Sequence, residues 1–208
     1  MVEMTIVIPL LLTLVLGFVD FGYAFYQWNA ASKAVQVGAR LAAISNPIAS
    51  GLPLEAGAPS NVADVGAPVP SNTYAYACFI NGANTLACSC TAGTCANVAA
   101  NVAAFDRIYG GDDLACVRPS VGRPGMCDFF PGLQRNEVRV EYLATGLGYW
   151  TRPGGPVPTI RVSIRNAAGL GRPFQFFFLG GLMNFANIRM PTMISTVTGE
   201  DLSATAPS

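Results

Sequence analysis

The sequence of 208 residues contains no histidine and few charged residues. The absence of histidine excludes Ser-His-Asp and Cys-His catalytic arrangements and every metal site that depends on an imidazole ligand. Charged residues make up 12% of the chain, against roughly 25% in an ordinary soluble domain. Twelve basic and twelve acidic residues give a net charge of zero. The chain therefore lacks the basic surplus expected of a nucleic-acid-binding protein.

Hydrophobic residues make up 51% of the chain, and they are concentrated at its start. Between Met4 and Trp28 the only charged residue is Asp20. Because a bilayer core needs about 20 apolar residues in a helix, this stretch predicts a transmembrane segment. A secretory signal peptide is the alternative. It would have a shorter apolar region and would carry Lys or Arg at its start, whereas the first residues here include Glu3 and no base.

The helical pattern continues beyond the apolar run. Small residues recur every four positions in two adjacent rows, which are Ala30, Ala34, Gly38 and Ala42, and Ala31, Val35, Ala39 and Ala43. Lys33 and Arg40 lie on the other side of the helix. We therefore predict one helix over about residues 3–45, apolar all round in its first half and amphipathic in its second. The ridge of small residues lets a sheet or a neighbouring helix approach closely.

Pro9 and Asp20 interrupt the apolar half. Pro9 has no N–H to donate to the Thr5 carbonyl, so we expect a kink unless the helix starts there. Asp20 follows Glu3 by roughly 25 Å along a helix, which would place it near the far membrane interface. Alternatively, Asp20 pairs with a base such as Lys33 on an axially shifted neighbouring copy, because an intramembrane charge is costly unless it is paired.

Together these residues resemble the N-terminal segment of TadE/TadG-like pilus proteins, the minor pilin-like components of the tight-adherence branch of type IV pili. The shared elements are Val2-Glu3, Pro9 within the apolar stretch, Gly17-x-x-Asp20-x-Gly22, the aromatic cluster Tyr23, Phe25, Tyr26 and Trp28, and Gly38-Ala39-Arg40. The similarity is close over the N-terminal helix and only general beyond it.

The resemblance implies a prepilin-like precursor that a leader peptidase processes and that the inner membrane holds before assembly. Its partners would be copies of itself, other pilus subunits and the pilus assembly machinery. Glu3, third in this chain where the acidic residue of pilins is usually fifth in the mature chain, would neutralise the N-terminal amine of an adjacent subunit. An acid at this position is also favoured by the helix dipole alone. The candidate assembly residues are Glu3, Pro9, Asp20, Lys33, Gly38 and Arg40.

Beyond the N-terminal helix, the composition predicts two further regions. Residues 46–73 are rich in proline and glycine and have no period, which predicts an extended arm lying on a surface, including that of a neighbouring subunit. Residues 74–208 contain all the cysteines and the strand-like patterns. We expect them to form a head domain.

The cysteines are even in number and lie close together in the head: Cys78, Cys88, Cys90, Cys95, Cys116 and Cys127. This pattern predicts disulfides in an oxidising compartment, and therefore a head outside the cytoplasm. Fifteen pairings are possible. Cys88 and Cys90 are too close to be partners, and Cys116 and Cys127 bracket a Pro/Gly loop that a disulfide would close. A four-cysteine zinc site is the rival, but the spacing lacks paired C-x2-C motifs.

An alternation with a period of two predicts three strands of a small antiparallel sheet in residues 137–143, 159–165 and 189–199. Glu and Arg of the first two strands would face each other on the solvent side. Pro191 indicates an edge position or a strand start for the third.

Two other segments of the head are apolar. Residues 97–110 predict a short helix with Val98, Val102 and Phe105 on its apolar face, ended by a Gly-Gly pair. The Phe-rich segment 173–185 predicts either a buried strand and turn or an exposed patch for a subunit or membrane contact.

No catalytic or phosphate-binding motif is complete, and we expect no enzyme activity, cofactor or bound metal. The expected fold class is α+β and pilin-like, a long N-terminal helix packed on a small antiparallel sheet with a disulfide-braced head. The predicted function is that of a structural subunit, or minor component, of an extracellular pilus-like filament involved in adhesion and surface attachment. The alternative is a binding module anchored in the inner membrane, with its disulfide-bonded head in the periplasm or outside the cell.

Overall fold

The structure is a computed structural model that describes residues 2–55, 62–117, 122–152, 155–165, 169–176, 188–199 and 202. Its first element is α1 (Val2–Ile44), a single helix of 43 residues with Pro9 inside it. The predicted N-terminal helix is therefore confirmed, and it is not interrupted at the proline.

Five strands form one antiparallel sheet in the order β2-β1-β3-β4-β5. The strands are β1 (Tyr74–Ile80), β2 (Leu86–Gly93), β3 (Val138–Leu143), β4 (Thr159–Ile164) and β5 (Met193–Thr198). The three predicted strands are confirmed as β3, β4 and β5. Edge strand β5 begins after Pro191, as the proline indicated.

The alternation of apolar and polar residues did not predict β1 and β2. Strand β1 lies between β2 and β3, and every residue in it except Phe79 is buried. A strand that is covered on both faces has no solvent side, and its sequence therefore lacks the polar positions on which the alternation depends.

One face of the sheet packs against the second half of α1. Tyr76, Tyr142 and Ile160 share this face through their cross-strand pairing, and all three are fully buried. Helix α1 contacts β4 and β5 as well as the short helix α3 (Met126–Phe129). The predicted ridge of small residues lies in this contact, since Ala31, Ala34 and Ala42 have no exposed surface. Small side chains bring the helix close enough to the sheet to exclude water from the core.

The predicted second helix is α2 (Val102–Gly110), which begins later than expected. The side chain of Asn101 caps it by accepting a hydrogen bond from the backbone N–H of Ala104. Its other end is Gly111, whose φ of 79° suits glycine far better than other residues. The predicted C-terminal end is therefore confirmed.

The predicted apolar face of α2 is partly wrong. Phe105 is fully buried, but Val98 and Val102 are 45% and 52% exposed. Val98 precedes the N-cap and so has no place on the helical face. The buried partners of Phe105 are Ala104 and Ile108.

The beginning of the Pro/Gly-rich arm packs into the head, in contrast to the surface position that we expected. Ile48 and Leu52 are fully buried, and the backbone N–H of Ile48 donates to the Tyr142 hydroxyl over 3.1 Å. The Glu55 carboxylate accepts hydrogen bonds from the Tyr76 hydroxyl and from the backbone of Ala96. Burial first, and then the Glu55 contact, raise the pKa of Tyr76 above its usual value. Apolar side chains between the prolines explain why this part of the arm is internal.

All six cysteines form disulfides, namely Cys78–Cys88, Cys90–Cys95 and Cys116–Cys127. Cys78–Cys88 joins β1 to β2, and Cys116–Cys127 closes the loop for which the sequence favoured a disulfide. Since no thiolate is left to bind a metal, the rival interpretation of a zinc site is wrong.

The charged face of β3 and β4 is less solvated than we predicted. Glu141 is only 9% exposed. It forms ion pairs with Arg139 and Arg165 at 3.0 and 2.6 Å. This carboxylate, which we expected on the solvent side, is therefore held between two arginine side chains.

Candidate assembly helix

The first half of α1 is exposed and apolar. Its large exposed residues are Met4, Ile6, Val7, Ile8, Leu10, Leu11, Leu12, Leu14, Val15, Phe18, Val19, Phe21, Phe25, Tyr26 and Trp28. Soluble monomers rarely expose a continuous apolar surface of this extent. A further partner, either lipid or protein, must therefore cover this half of the helix.

Helix α1 is long and apolar enough to cross a membrane. Only 6% of its most apolar window is buried inside the protein, whereas the core helix of a soluble protein would be mostly buried. The rings of Tyr23 and Tyr26 stack at 6.1 Å between centroids, close to Trp28 at the end of the apolar half. Tyr and Trp are enriched in proteins where a bilayer meets water, so these residues suit the end of a membrane-spanning segment.

Asp20 is buried within this otherwise exposed half. Its exposed fraction is 5%, and it already takes part in an interaction within the chain. The expectations for Asp20 were a position at the far interface or a base on a neighbouring copy. An internal contact was not among them.

Gln27 connects α1 to the C-terminal part of the head. Its side-chain nitrogen donates to the carbonyl of Gln175 over 2.7 Å, and its oxygen accepts from the backbone N–H of Gln175 over 3.0 Å. The side chain thus satisfies both backbone groups of one residue, as a neighbouring strand would. Phe174 and Phe176 flank this contact and are half-buried. Residues 177–185 of the Phe-rich segment lie outside the described residues.

Gly38 forms a close packing contact within the chain. A Cβ atom at this position would lie 2.5 Å from the Sδ of Met126, and Met126 is fully buried. The glycine therefore allows α3 to pack directly against the α1 backbone. The close approach predicted for the small-residue ridge occurs here within one molecule.

The remaining candidate assembly residues have different surroundings. Pro9, Lys33 and Arg40 are exposed, so their side chains are accessible to another molecule. Glu3 lies in the first turn of α1, and its side chain is outside the described part of the chain. The structure thus separates the candidates with described side chains into an internal pair, Asp20 and Gly38, and an exposed set, Pro9, Lys33 and Arg40.

Sequence reasoning missed the role of Gln27. A usable signal was present, because Gln27 is a polar residue within an aromatic and apolar stretch and lies two helical turns after Asp20 on the same face. The sequence gives no sign of its partner in the C-terminal region, because Gln175 takes part only through its backbone atoms.

Residues 1–40 match the family model described as TadE-like protein. This finding confirms the resemblance that the motifs of α1 indicated, and it supports a TadE-like pilus protein. The match ends within α1 and does not include the head. No curated protein and no solved structure matches the chain.

The family match and the geometry agree on the general character of the protein. TadE-like pilus proteins are structural rather than enzymatic, and they have an apolar N-terminal helix. The exposed half of α1 suits membrane anchoring, and the three disulfides indicate a head outside the cytoplasm.

Proposed function

We propose that this protein is a structural subunit of an extracellular pilus-like filament, which polymerises through the first half of α1 and contributes to surface attachment. The observation that supports the proposal is the contrast within one continuous helix. One face of its second half is buried in the head, whereas its first half exposes a continuous apolar surface.

That apolar surface would have two successive environments. Lipid covers it while the subunit is held in the inner membrane, and the helices of neighbouring subunits replace the lipid in the filament. Helices that leave lipid associate through close packing of small residues and through polar contacts, because the hydrophobic effect does not distinguish lipid from protein.

The exposed candidates suit contacts between such helices. Gly22 has open space where a Cβ would be, with nothing within 4 Å, so a neighbouring backbone can approach it. Lys33 and Arg40 are exposed bases beyond the apolar half, where they can pair with acids of an axially shifted copy. Glu3 would pair with the N-terminal amine of the adjacent subunit.

A glycine substitution tests the proposal without disturbing the head. We expect wild-type protein, purified with its helix intact, to form filaments in electron micrographs or to be recovered with pili. Gly22→Leu fills the open space on the helix surface and should abolish filaments. The matched control is Phe21→Leu on the exposed surface, which adds no bulk and should retain them.

The thermal unfolding of the head serves as the second readout, and it should be the same for wild type, Gly22→Leu and Phe21→Leu. Filament loss with an unchanged head supports assembly through α1. If the wild-type protein forms no filaments and is never recovered with a pilus, the proposal is wrong and α1 is a simple anchor for a binding module.

A further inference from the structure

A cluster of charged side chains lies on the face of the sheet opposite to α1. In the register of β3 and β4, Arg139 is paired with Ser163, and Glu141 is paired with Arg161. Side chains of cross-strand partners project from the same face, and so do those of alternate residues on one strand. Ser163 therefore lies among three arginines, with Arg139 across the strand pair and Arg161 and Arg165 on either side along its own strand.

The three arginines share a single carboxylate. Arg139 Nε and a terminal nitrogen of Arg165 lie 3.0 and 2.6 Å from the same oxygen of Glu141. Arg161 is 3.7 Å from the other oxygen, which is longer than a hydrogen bond. Three guanidinium groups around one carboxylate leave a surplus of two positive charges on this patch.

Two hydrogen-bond donors in the cluster have no acceptor. Within the described part of the chain, Ser163 Oγ and Arg165 Nε are buried atoms without a hydrogen-bond partner, and Ser163 has no exposed surface at all. Buried polar groups are paired in the large majority of cases, and an unpaired one is unfavourable. Both donors lie beside the positive surplus, where a negatively charged acceptor is most favoured.

The cluster is partly ordered before any ligand binds. The guanidinium of Arg139 lies over the ring of Phe79, 5.0 Å from its centroid, which restricts its orientation. The Arg161 side chain is 44% exposed, whereas those of Arg139 and Arg165 are 27% and 23% exposed. Arg161 is thus the most accessible of the three arginines.

We propose that Ser163, Arg139, Arg161 and Arg165 form a binding site for an oxyanion, such as a phosphate or a carboxylate group. The anion accepts from Ser163 Oγ and Arg165 Nε and turns the exposed guanidinium of Arg161 inward. Arginine is well suited to this purpose, since its planar donors match the oxygens of both groups. The site does not depend on filament formation, because it lies on the opposite side of the sheet from α1.

A titration of the full chain in an uncharged detergent tests the site. Inorganic phosphate and acetate are added separately at constant ionic strength, and the Nε–H signals of the arginines are followed by NMR. We expect the Arg165 signal to shift with saturation. Saturation by phosphate alone identifies a tetrahedral ligand, and saturation by acetate alone identifies a carboxylate. A shift that is linear with either salt, or no shift, overturns the proposal.

Variants that change the anion affinity in opposite directions distinguish a specific binding site from general attraction of anions. Ser163→Ala removes one donor without changing the charge and should weaken binding by about tenfold. Arg161→Gln should weaken it by a similar factor, and Glu141→Gln should strengthen it because the competing carboxylate is lost. The matched control is Arg123→Gln, an arginine of the head outside the patch, which should bind as wild type does.

The circular dichroism spectrum of each variant shows whether the head is folded. Ser163→Ala is the mildest change and keeps the proposal falsifiable if Glu141→Gln does not fold. Equal affinity of wild type and Ser163→Ala, together with an equal effect of Arg161→Gln and Arg123→Gln, would mean non-specific attraction of anions and would refute the site.

Discussion

The two halves of α1 belong to one helix but differ in how their side chains are packed. Large residues such as Phe21 and Leu14 are exposed in the first half, 72% and 57% respectively, whereas Leu41 in the second half is 4% exposed. The head buries one face of the second half and contacts the first half through Gln27. The comparison shows that a continuous helix can be a core element at one end and an open surface at the other, because only its side chains, not its backbone, differ along its length.

Reduction of the disulfides should produce the largest difference between these regions. The disulfides close loops between cysteines 10, 5 and 11 residues apart. Each contributes roughly 2–4 kcal/mol, so the loss of all three approaches the whole stability of a typical domain. We expect the near-ultraviolet circular dichroism of the head to collapse with dithiothreitol. The apolar half of α1, whose backbone bonds are internal, should stay helical in detergent.

Oxidised dithiothreitol in the same detergent is the control for this experiment. A head that keeps its near-ultraviolet signal after full reduction would show that packing alone maintains it.

Two leucines on α1 provide a more specific comparison. Leu41→Ala should lower the free energy of unfolding of the head by about 2–5 kcal/mol, since it leaves a cavity in the core. Leu14→Ala should change it by less than about 0.5 kcal/mol, because the side chain is already exposed. Urea titrations in an uncharged detergent give both values. Similar losses for the two variants would contradict the proposed division of the helix.

Two glycines of α1, Gly22 and Gly38, extend the comparison to backbone contacts. Gly38→Ala brings a Cβ against the buried Met126. The resulting overpacking outweighs the gain in helix propensity, and we expect a net loss of about 1 kcal/mol. Gly22→Ala meets no atom and should leave the stability of the head unchanged or slightly higher. Thermal unfolding of both variants measures the difference.

A double variant shows whether the Gly38→Ala effect arises from Met126. Combined with Met126→Ala, which itself costs stability, the glycine substitution should no longer add a loss. An additive loss in the double variant would place the strain elsewhere.

An acid titration should give the smallest effect, confined to the head. Asp112 accepts hydrogen bonds from the Arg123 side chain and backbone, both at 3.0 Å, and these hold its pKa below the usual value. A lowered carboxyl pKa stabilises the folded state above the unfolded pKa of about 4, and the contribution is lost as the pH falls through the folded pKa. Asp112→Asn should therefore cost under about 1 kcal/mol at pH 7.

The pH dependence of that cost is the check. The difference between wild type and Asp112→Asn should shrink below pH 4, and a difference that is constant between pH 7 and pH 2 would exclude the ion pair as its origin. Leu14→Ala, which changes no charge, should follow wild type throughout the range.

The parts of the fold that the sequence predicted are those with a clear period. Helix α1 and strands β3, β4 and β5 alternate or repeat in register with their burial, so their residue patterns indicate them directly. Strand β1 is covered on both faces and has no polar residues to alternate with its apolar ones, so the sequence did not indicate it. The start of α2 was placed too early because Val98 happened to continue the apolar spacing.

The motifs that contain the candidate assembly residues could be found in the sequence, but the contacts of those residues could not. The elements Gly17-x-x-Asp20-x-Gly22 and Gly38-Ala39-Arg40 identify the helix as TadE-like. They give no indication that Met126 occupies the space beside Gly38 or that Gln27 binds the backbone of Gln175. Both contacts join residues far apart in the sequence and depend on where the sheet places the later segments.

The sequence by itself determined the long helix, its apolar and amphipathic halves, the disulfide-forming character of the head and the family resemblance. These properties follow from composition and local spacing. The tertiary structure alone decided the Cys78–Cys88 and Cys90–Cys95 pairings, the central position of β1, the internal contacts of Asp20 and Gly38 and the arginine cluster around Ser163. Each of these depends on distances between segments that are remote along the chain, and only the packing of the sheet against α1 sets those distances.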